Sequence, residues 1–167
     1  KILKDLGFNI NTIPVLDVLR FNTNKIIGNR SFSNNKKIVK NLGLHTIKYL
    51  HLNKILGIIK HIPGHGATTV DSHKKTPTVT LSFKKLDEID FFPFKSSNGK
   101  LAMTAHIIYS KIDKKNVATQ SKKVIRDIIR KKIGFKGILI SDDISMRALK
   151  GDLVTNAKKS ISAGCNI

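Results

Sequence analysis

The densest run of reactive side chains is Lys60-His61-Ile62-Pro63-Gly64-His65-Gly66, followed by Asp71-Ser72-His73. Three imidazoles, a carboxylate and an ammonium group fall on one loop leaving an apolar run. His61 and His65 stand at i and i+4, the spacing of a helical zinc pair. Pro63-Gly64 lies between them and opposes a helix, so the rings need not share a face, which disfavours metal. A second reading is acid/base chemistry. Asp71 and His73 flank Ser72 in an extended segment, where side chains at i and i+2 fall on one side. A carboxylate beside an imidazole orients the ring, fixes its tautomer and favours its charged form. His73 would then give up a proton and afterwards act as a base. A third reading is three surface histidines in a glycine-rich loop.

Asp142 and Asp143 follow the apolar run Ile138-Leu139-Ile140. Strand alternation sends one into a pocket and the other away. The inward one is a candidate nucleophile; taken alone, either suits an N-cap or a salt bridge. Arg30 follows the first strand and could grip a hydroxyl or a carboxylate, or stand exposed in its loop. Thr104 and His106 could line the same pocket, although a satisfied core histidine is the commoner outcome.

These residues need elements to hold them. Phe8 to Leu16 reads as a strand and Asn34 to Asn53 as a helix with Ile38, Leu42, Leu44, Ile47 and Leu50 on its apolar face. Ile55 to Lys60 is a buried strand, followed by a long loop to about Pro77. Leu86 to Phe94 reads as a short helix stopped by Pro93. Leu101 to Ile107 is another apolar run. Ser121 caps a helix with Val124, Ile125, Ile128 and Ile129 inward and Gly134 at its end. Ile138 to Ile140 is a strand, Asp152 to Ser162 a helix ended by Gly164, and Cys165-Asn166-Ile167 starts one more strand. Strands apolar throughout, joined by helices, predict an α/β fold with a parallel sheet. Polar residues gather at the strand ends: Asp17, Lys60-His61, Thr104-His106 and Ser141-Asp142-Asp143. Parallel α/β folds build their sites there.

The 167 residues carry 31 Lys+Arg against 11 Asp+Glu, a formal charge of +20. Only Arg20, Arg30, Arg126, Arg130 and Arg147 are arginines; the rest are lysines spread along the chain. Base reading favours Arg, and with no Trp and two isolated Tyr there is no stacking platform. A solvated basic surface is expected, with no specific nucleic-acid partner. The single Cys165 excludes a disulfide framework and any multi-cysteine metal site. No apolar run reaches membrane-span length and no signal-peptide pattern opens the chain, so no membrane association and a cytoplasmic location are expected. A start at Lys1 fits a fragment or processed piece.

The motifs Lys60-His61-Ile62-Pro63-Gly64-His65-Gly66, Asp71-Ser72-His73, Met103-Thr104-Ala105-His106-Ile107 and Ser141-Asp142-Asp143-Ile144-Ser145-Met146 stand in one order and spacing. With Pro14-Val15-Leu16-Asp17-Val18 and Ala163-Gly164-Cys165, they resemble bacterial β-N-acetylglucosaminidases of glycoside hydrolase family 3, over essentially the whole chain. The resemblance implies part of a (β/α)8 TIM barrel across residues 1–167, about strands 3–6 with the start of strand 7. It implies retaining removal of terminal N-acetylglucosamine in peptidoglycan recycling, from a muropeptide or glycan substrate and without a cofactor or metal. Asp142 would be the nucleophile, His73 the acid/base and Asp71 its partner; Arg30, Lys60 and His61 would bind the sugar. Asn29 and Asn166 stand where the family usually has Asp, which puts sugar affinity or local charge balance in question. An incomplete barrel exposes two sheet edges, so self-association or a complementary N-terminal fragment is expected. The rival expectation is a catalytically inactive fragment of the same fold.

Overall fold

The computed structural model describes residues 2–72 and 75–167. Its main sheet is parallel, with strand order β1-β2-β4-β6: β1 (Ile10–Asn11), β2 (Leu56–Ile62), β4 (Leu101–Thr104) and β6 (Ile138–Ile140). A second parallel pair, β3 (Thr78–Val79) with β5 (Ile108–Tyr109), lies outside the main sheet. Neither short strand stands out in the sequence, because two residues carry no periodicity. The expected first strand shrinks to Ile10–Asn11, with Val15 making only an isolated bridge to Lys60. Pro14 lacks the N–H that a continuous ladder would need.

Helix α1 (Ile2–Asp5) precedes the sheet. Helix α2 (Lys36–Leu52) begins where the Asn35 side chain accepts bonds from the N–H groups of Lys37 and Ile38. It crosses from β1 to β2 on the face formed by Val39, Gly43, Ile47 and Leu50. Of the expected face, Ile47 and Leu50 are buried, but in the first half of the helix it lies one residue off: Ile38 and Leu42 are exposed and Val39 and Gly43 are buried. Gly43 explains the rotation. A Cβ there would sit 2.3 Å from Leu16 Cδ2, so the helix rests on Leu16 at its bare backbone.

Helix α3 (Phe83–Glu88) starts earlier than expected, capped by Ser82, and a separate 3₁₀ turn at Phe92–Phe94 replaces its predicted second half. Residues Val124–Lys132 wind as a π-type helix; Ile133 N–H donates to the Ile128 carbonyl, five residues back. The predicted Ser121 cap is present, with Ser121 Oγ accepting from Val124 N–H at 3.1 Å. Helix α4 (Leu153–Ala163) is capped by Asp152 and ended by Gly164 at φ 120°. Leu16, Ile59, Leu139, Ile129, Phe91 and Tyr109 are buried in the core between sheet and helices.

After α4 the chain returns beside β6. Asn166 N–H donates to Leu139 O, and Ser141 N–H to Ile167 O. The Asn166 side-chain oxygen accepts from Leu139 N–H and from Arg130 Nη2, at 2.8 and 3.2 Å. Asn166 lines a depression with Leu56, Leu101 and Ile138, the first residues of β2, β4 and β6. That is the amino end of the sheet. The Asn166 departure therefore bears on charge balance with Arg130. Asn166→Asp should turn both contacts into charge-assisted bonds, raising stability by about 0.5–1 kcal/mol and Tm by about 2–3 °C. A calorimetric melt of the two proteins checks this.

Candidate functional site

At the carboxyl ends of the strands lies a cleft of about 230 Å³, lined by Arg30, Lys60, His61, Ser72, Met103 and Asp142, among others. Lys60 and His61 are adjacent, yet both reach it. The β2–β4 register explains how. Lys60 pairs with Met103 but Ile62 with Thr104, so two residues of β2 advance against one of β4, and the bulge falls at His61. A bulge suspends alternation and re-aims a side chain.

Below the cleft, Asp17 is fully buried. Its Oδ1 accepts from the backbone N–H of His61 and of His65, and its Oδ2 accepts from His61 Nδ1 at 2.7 Å. Burial alone would raise the carboxyl's pKa. The His61 ring and its bond, with the His65 contacts, overcome that and hold Asp17 below the ordinary carboxylate value. The carboxylate fixes the proton on His61 Nδ1 and leaves Nε2 as the ring atom able to bond a ligand. The His61–His65 spacing thus serves two anchors on one carboxylate, with ring centroids 5.6 Å apart and edge-on. In the sequence Asp17 stood among the polar residues at strand ends and in one of the resembling motifs, with no role assigned. Its signal was a lone acid following the apolar Val15-Leu16.

The loop above is clamped at several points. Tyr109 Oη donates to Gly64 O at 2.6 Å, and Thr23 Oγ1 donates to Gly66 O at 2.6 Å. A Cβ on Gly66 would lie 1.9 Å from Val18 O, so only glycine lets the two backbones touch. Asp90, buried and bonded by Arg20, packs against Gly64.

His65 is buried, and this pushes its pKa down to about 4, although Asp17 pulls the other way. Its folded value lies below the unfolded one near 6.5, so the fold favours the neutral ring. That contribution is complete above pH 6.5 and is lost as pH falls toward 4. Stability should therefore drop by about 3 kcal/mol across that window. The drop should shrink to under half in His65→Gln, measured by urea titration at stepped pH.

Lys60 is half-buried. Burial and then the Arg30 guanidinium push its pKa down, while the carboxylates of Asp142 and Asp17 pull it back. Lys60 thus senses the other three groups electrostatically. Arg30 sits in a 3₁₀ turn (Gly28–Arg30) and donates through Nη2 to Ile26 O at 2.6 Å, which steadies the guanidinium beside the cleft. Asn29 is exposed in the same turn.

The two aspartates lie beyond the end of β6, in a turn, and their side chains part there without the strand alternation expected. Asp142 lines the cleft. Asp143 is exposed, and its Oδ1 accepts from Ser145 N–H and Oγ. Asp71 precedes Ser72, a cleft residue, and its carbonyl accepts from Lys75 N–H. His73 lies outside the described residues. Thr104 and His106 are buried behind the cleft wall and do not line it.

A parallel α/β sheet with a carboxylate, two cations and an anchored imidazole at its carboxyl edge is the architecture of a barrel-type enzyme domain. The model of the glycosyl hydrolase family 3 N-terminal domain matches residues 1–167, and the chain belongs to that family. A β-hexosaminidase of Haemophilus influenzae is 36% identical over 168 residues, covering 97% of this chain and 47% of that protein. One from Neisseria meningitidis serogroup C is 38% identical, covering 99% and 46%. A family 3 β-N-acetylglucosaminidase from Paenibacillus sp. superposes with TM-score 0.93 at 32% identity, covering 99% of this chain and 32% of that one. NagZ from Neisseria gonorrhoeae, in complex with N-trifluoroacetyl-D-glucosamine, gives 0.89 at 34%, covering 99% and 48%. The chain spans about half the length of several curated relatives that it matches.

Proposed function

We propose that residues 1–167 are the central part of a retaining β-N-acetylglucosaminidase that removes terminal N-acetylglucosamine from muropeptides or glycans in cytoplasmic peptidoglycan recycling. The carrying observation is that Arg30, Lys60, His61 and Asp142, far apart in sequence, line one cleft. The relatives' names supply the substrate class. A larger groove of about 520 Å³ runs along α2, but no carboxylate lines it.

The chemistry follows from the groups present. An Asp142 oxygen attacks the anomeric carbon while His73, oriented by Asp71, protonates the departing glycosidic oxygen. This gives a glycosyl–aspartate ester. Neutral His73 then takes a proton from water as the water attacks the same carbon, and Asp142 leaves as carboxylate. Two displacements retain the configuration. Arg30, Lys60 and His61 hold the sugar hydroxyls. Usual retaining enzymes use a carboxylic acid in the acid/base role; an imidazole with a carboxylate partner meets the same need.

In this reading β1, β2, β4 and β6 are barrel strands three to six, and residues 165–167 begin the seventh. Apolar side chains stand exposed in and around β1 (Phe8, Ile10, Ile13), in β6 (Ile138) and at the start of α4 (Leu153, Val154). They favour a complementary piece or self-association, and they also favour a second reading, in which this span alone is inactive. Release of nitrophenol from 4-nitrophenyl N-acetyl-β-D-glucosaminide, unaffected by a chelator, tests the proposal. Equal background from this chain, Asp142→Ala and His73→Ala supports the second reading.

A further inference from the structure

We propose that His106 is a positioning residue that fixes the backbone beside Asp142, as the end of a hydrogen-bond relay from Thr104 through Thr119. This rests on the reading of Asp142 as nucleophile.

His106 is buried, 1% exposed, just beyond β4. Its Nε2 lies 3.0 Å from the Asp143 carbonyl oxygen. A carbonyl only accepts, so Nε2 carries the proton. Burial lowers the ring's basicity, against the opposing pull of the Asp143 carbonyl and the Asp142 and Asp143 carboxylates. A neutral ring protonated at Nε2 must accept at Nδ1, and Thr119 Oγ1 stands 2.7 Å from that atom. The Ala105 carbonyl is a second acceptor near Thr119 Oγ1, at 3.2 Å; the shorter contact to Nδ1 takes the one hydroxyl proton, and Thr119 then accepts from Thr104 Oγ1 at 2.8 Å. Every proton thus has a direction, and the direction sets the tautomer.

The target matters. The Asp143 carbonyl also accepts from Met146 N–H, which closes the turn after Asp142. Asn156 Nδ2 holds Ile144 O, and Thr76 Oγ1 holds Ala148 O. Those contacts fix the far side of the 142–149 loop. From the segment just beyond β4, His106 supplies a side-chain bond to the residue next to Asp142. A displacement of about 1 Å at a reacting group can cost about a hundredfold in rate. A ring that never touches the sugar can therefore control the reaction through one carbonyl.

The test uses the full chain and three readouts. Long-range ¹H–¹⁵N spectra at pH 7.5 should show His106 with a protonated Nε2 and a bare Nδ1. Thr119→Val removes the donor to Nδ1. It should speed amide exchange at Ser145 and Met146 about tenfold and lower kcat on the nitrophenyl substrate about tenfold, with KM changed less than twofold. Thr119→Ser should restore both. A His106 protonated at Nδ1, or Thr119→Val with unchanged exchange, overturns the relay. The spectra and the exchange rates decide it even where Asp142→Ala retains activity or the chain shows none; those two results count against the nucleophile reading and the activity of this span.

Discussion

Asp17→Ala should destabilise the protein by about 3–5 kcal/mol, the cost of removing one partner from a buried charged network. The change deletes the acceptor of three donors at once: His61 N–H, His61 Nδ1 and His65 N–H. Each would be left in a water-poor interior, and each unmet donor is costly. At about 2–4 °C per kcal/mol, Tm should fall by about 10 °C. Asp17→Asn should lie between, because its carbonyl oxygen replaces one acceptor and its NH₂ opposes another donor. Urea denaturation of the three proteins measures this. A loss below 1 kcal/mol for alanine would mean the loop is held by its other clamps, Tyr109 and Thr23, and not by the carboxylate.

On the proposed mechanism, Asp142→Ala should lower kcat by about 10⁴-fold or more, because no other carboxylate lines the cleft among the described residues. Stability should hardly change, since Asp142 is only half-buried and the Asp143 side chain closes the following turn. Thermal melts within 2 °C of each other would separate lost chemistry from lost fold. Azide offered to Asp142→Ala should restore turnover in part and yield an α-glycosyl azide, as a nucleophile entering the vacated space would. A variant that keeps a tenth of wild-type kcat would remove Asp142 from the chemistry.

The sheet and the gathering of polar residues at its strand ends were legible because the apolar stretch within Ile55 to Lys60 and capped segments such as α4 announce themselves. The split between Asp142 and Asp143 was expected from alternation, but it arises in the turn after β6, where the Asp143 side chain bonds Ser145. The shared placement of Lys60 and His61 was not derivable that way. Alternation separates them, and the bulge that reunites them depends on register against Met103 and Thr104. The π-type winding of Val124–Lys132 shares its inward residues with an α-helix, so the pattern could not tell them apart. Asp17 was placed at a strand end but given no role, because nothing in the local pattern shows that the chain brings His61 and His65 around it. His106 carried two readings in sequence, cleft or core, with core the commoner outcome. Its satisfied nitrogens decide for the core.

The most direct measurement is mass spectrometry of the protein after reaction with a slowly hydrolysed fluorinated N-acetylglucosaminyl fluoride. One sugar should add, and the labelled proteolytic peptide should carry it on Asp142. A sugar ester on Asp71, Asp143 or any other residue, or the absence of an adduct alongside an inverted product, would contradict the account.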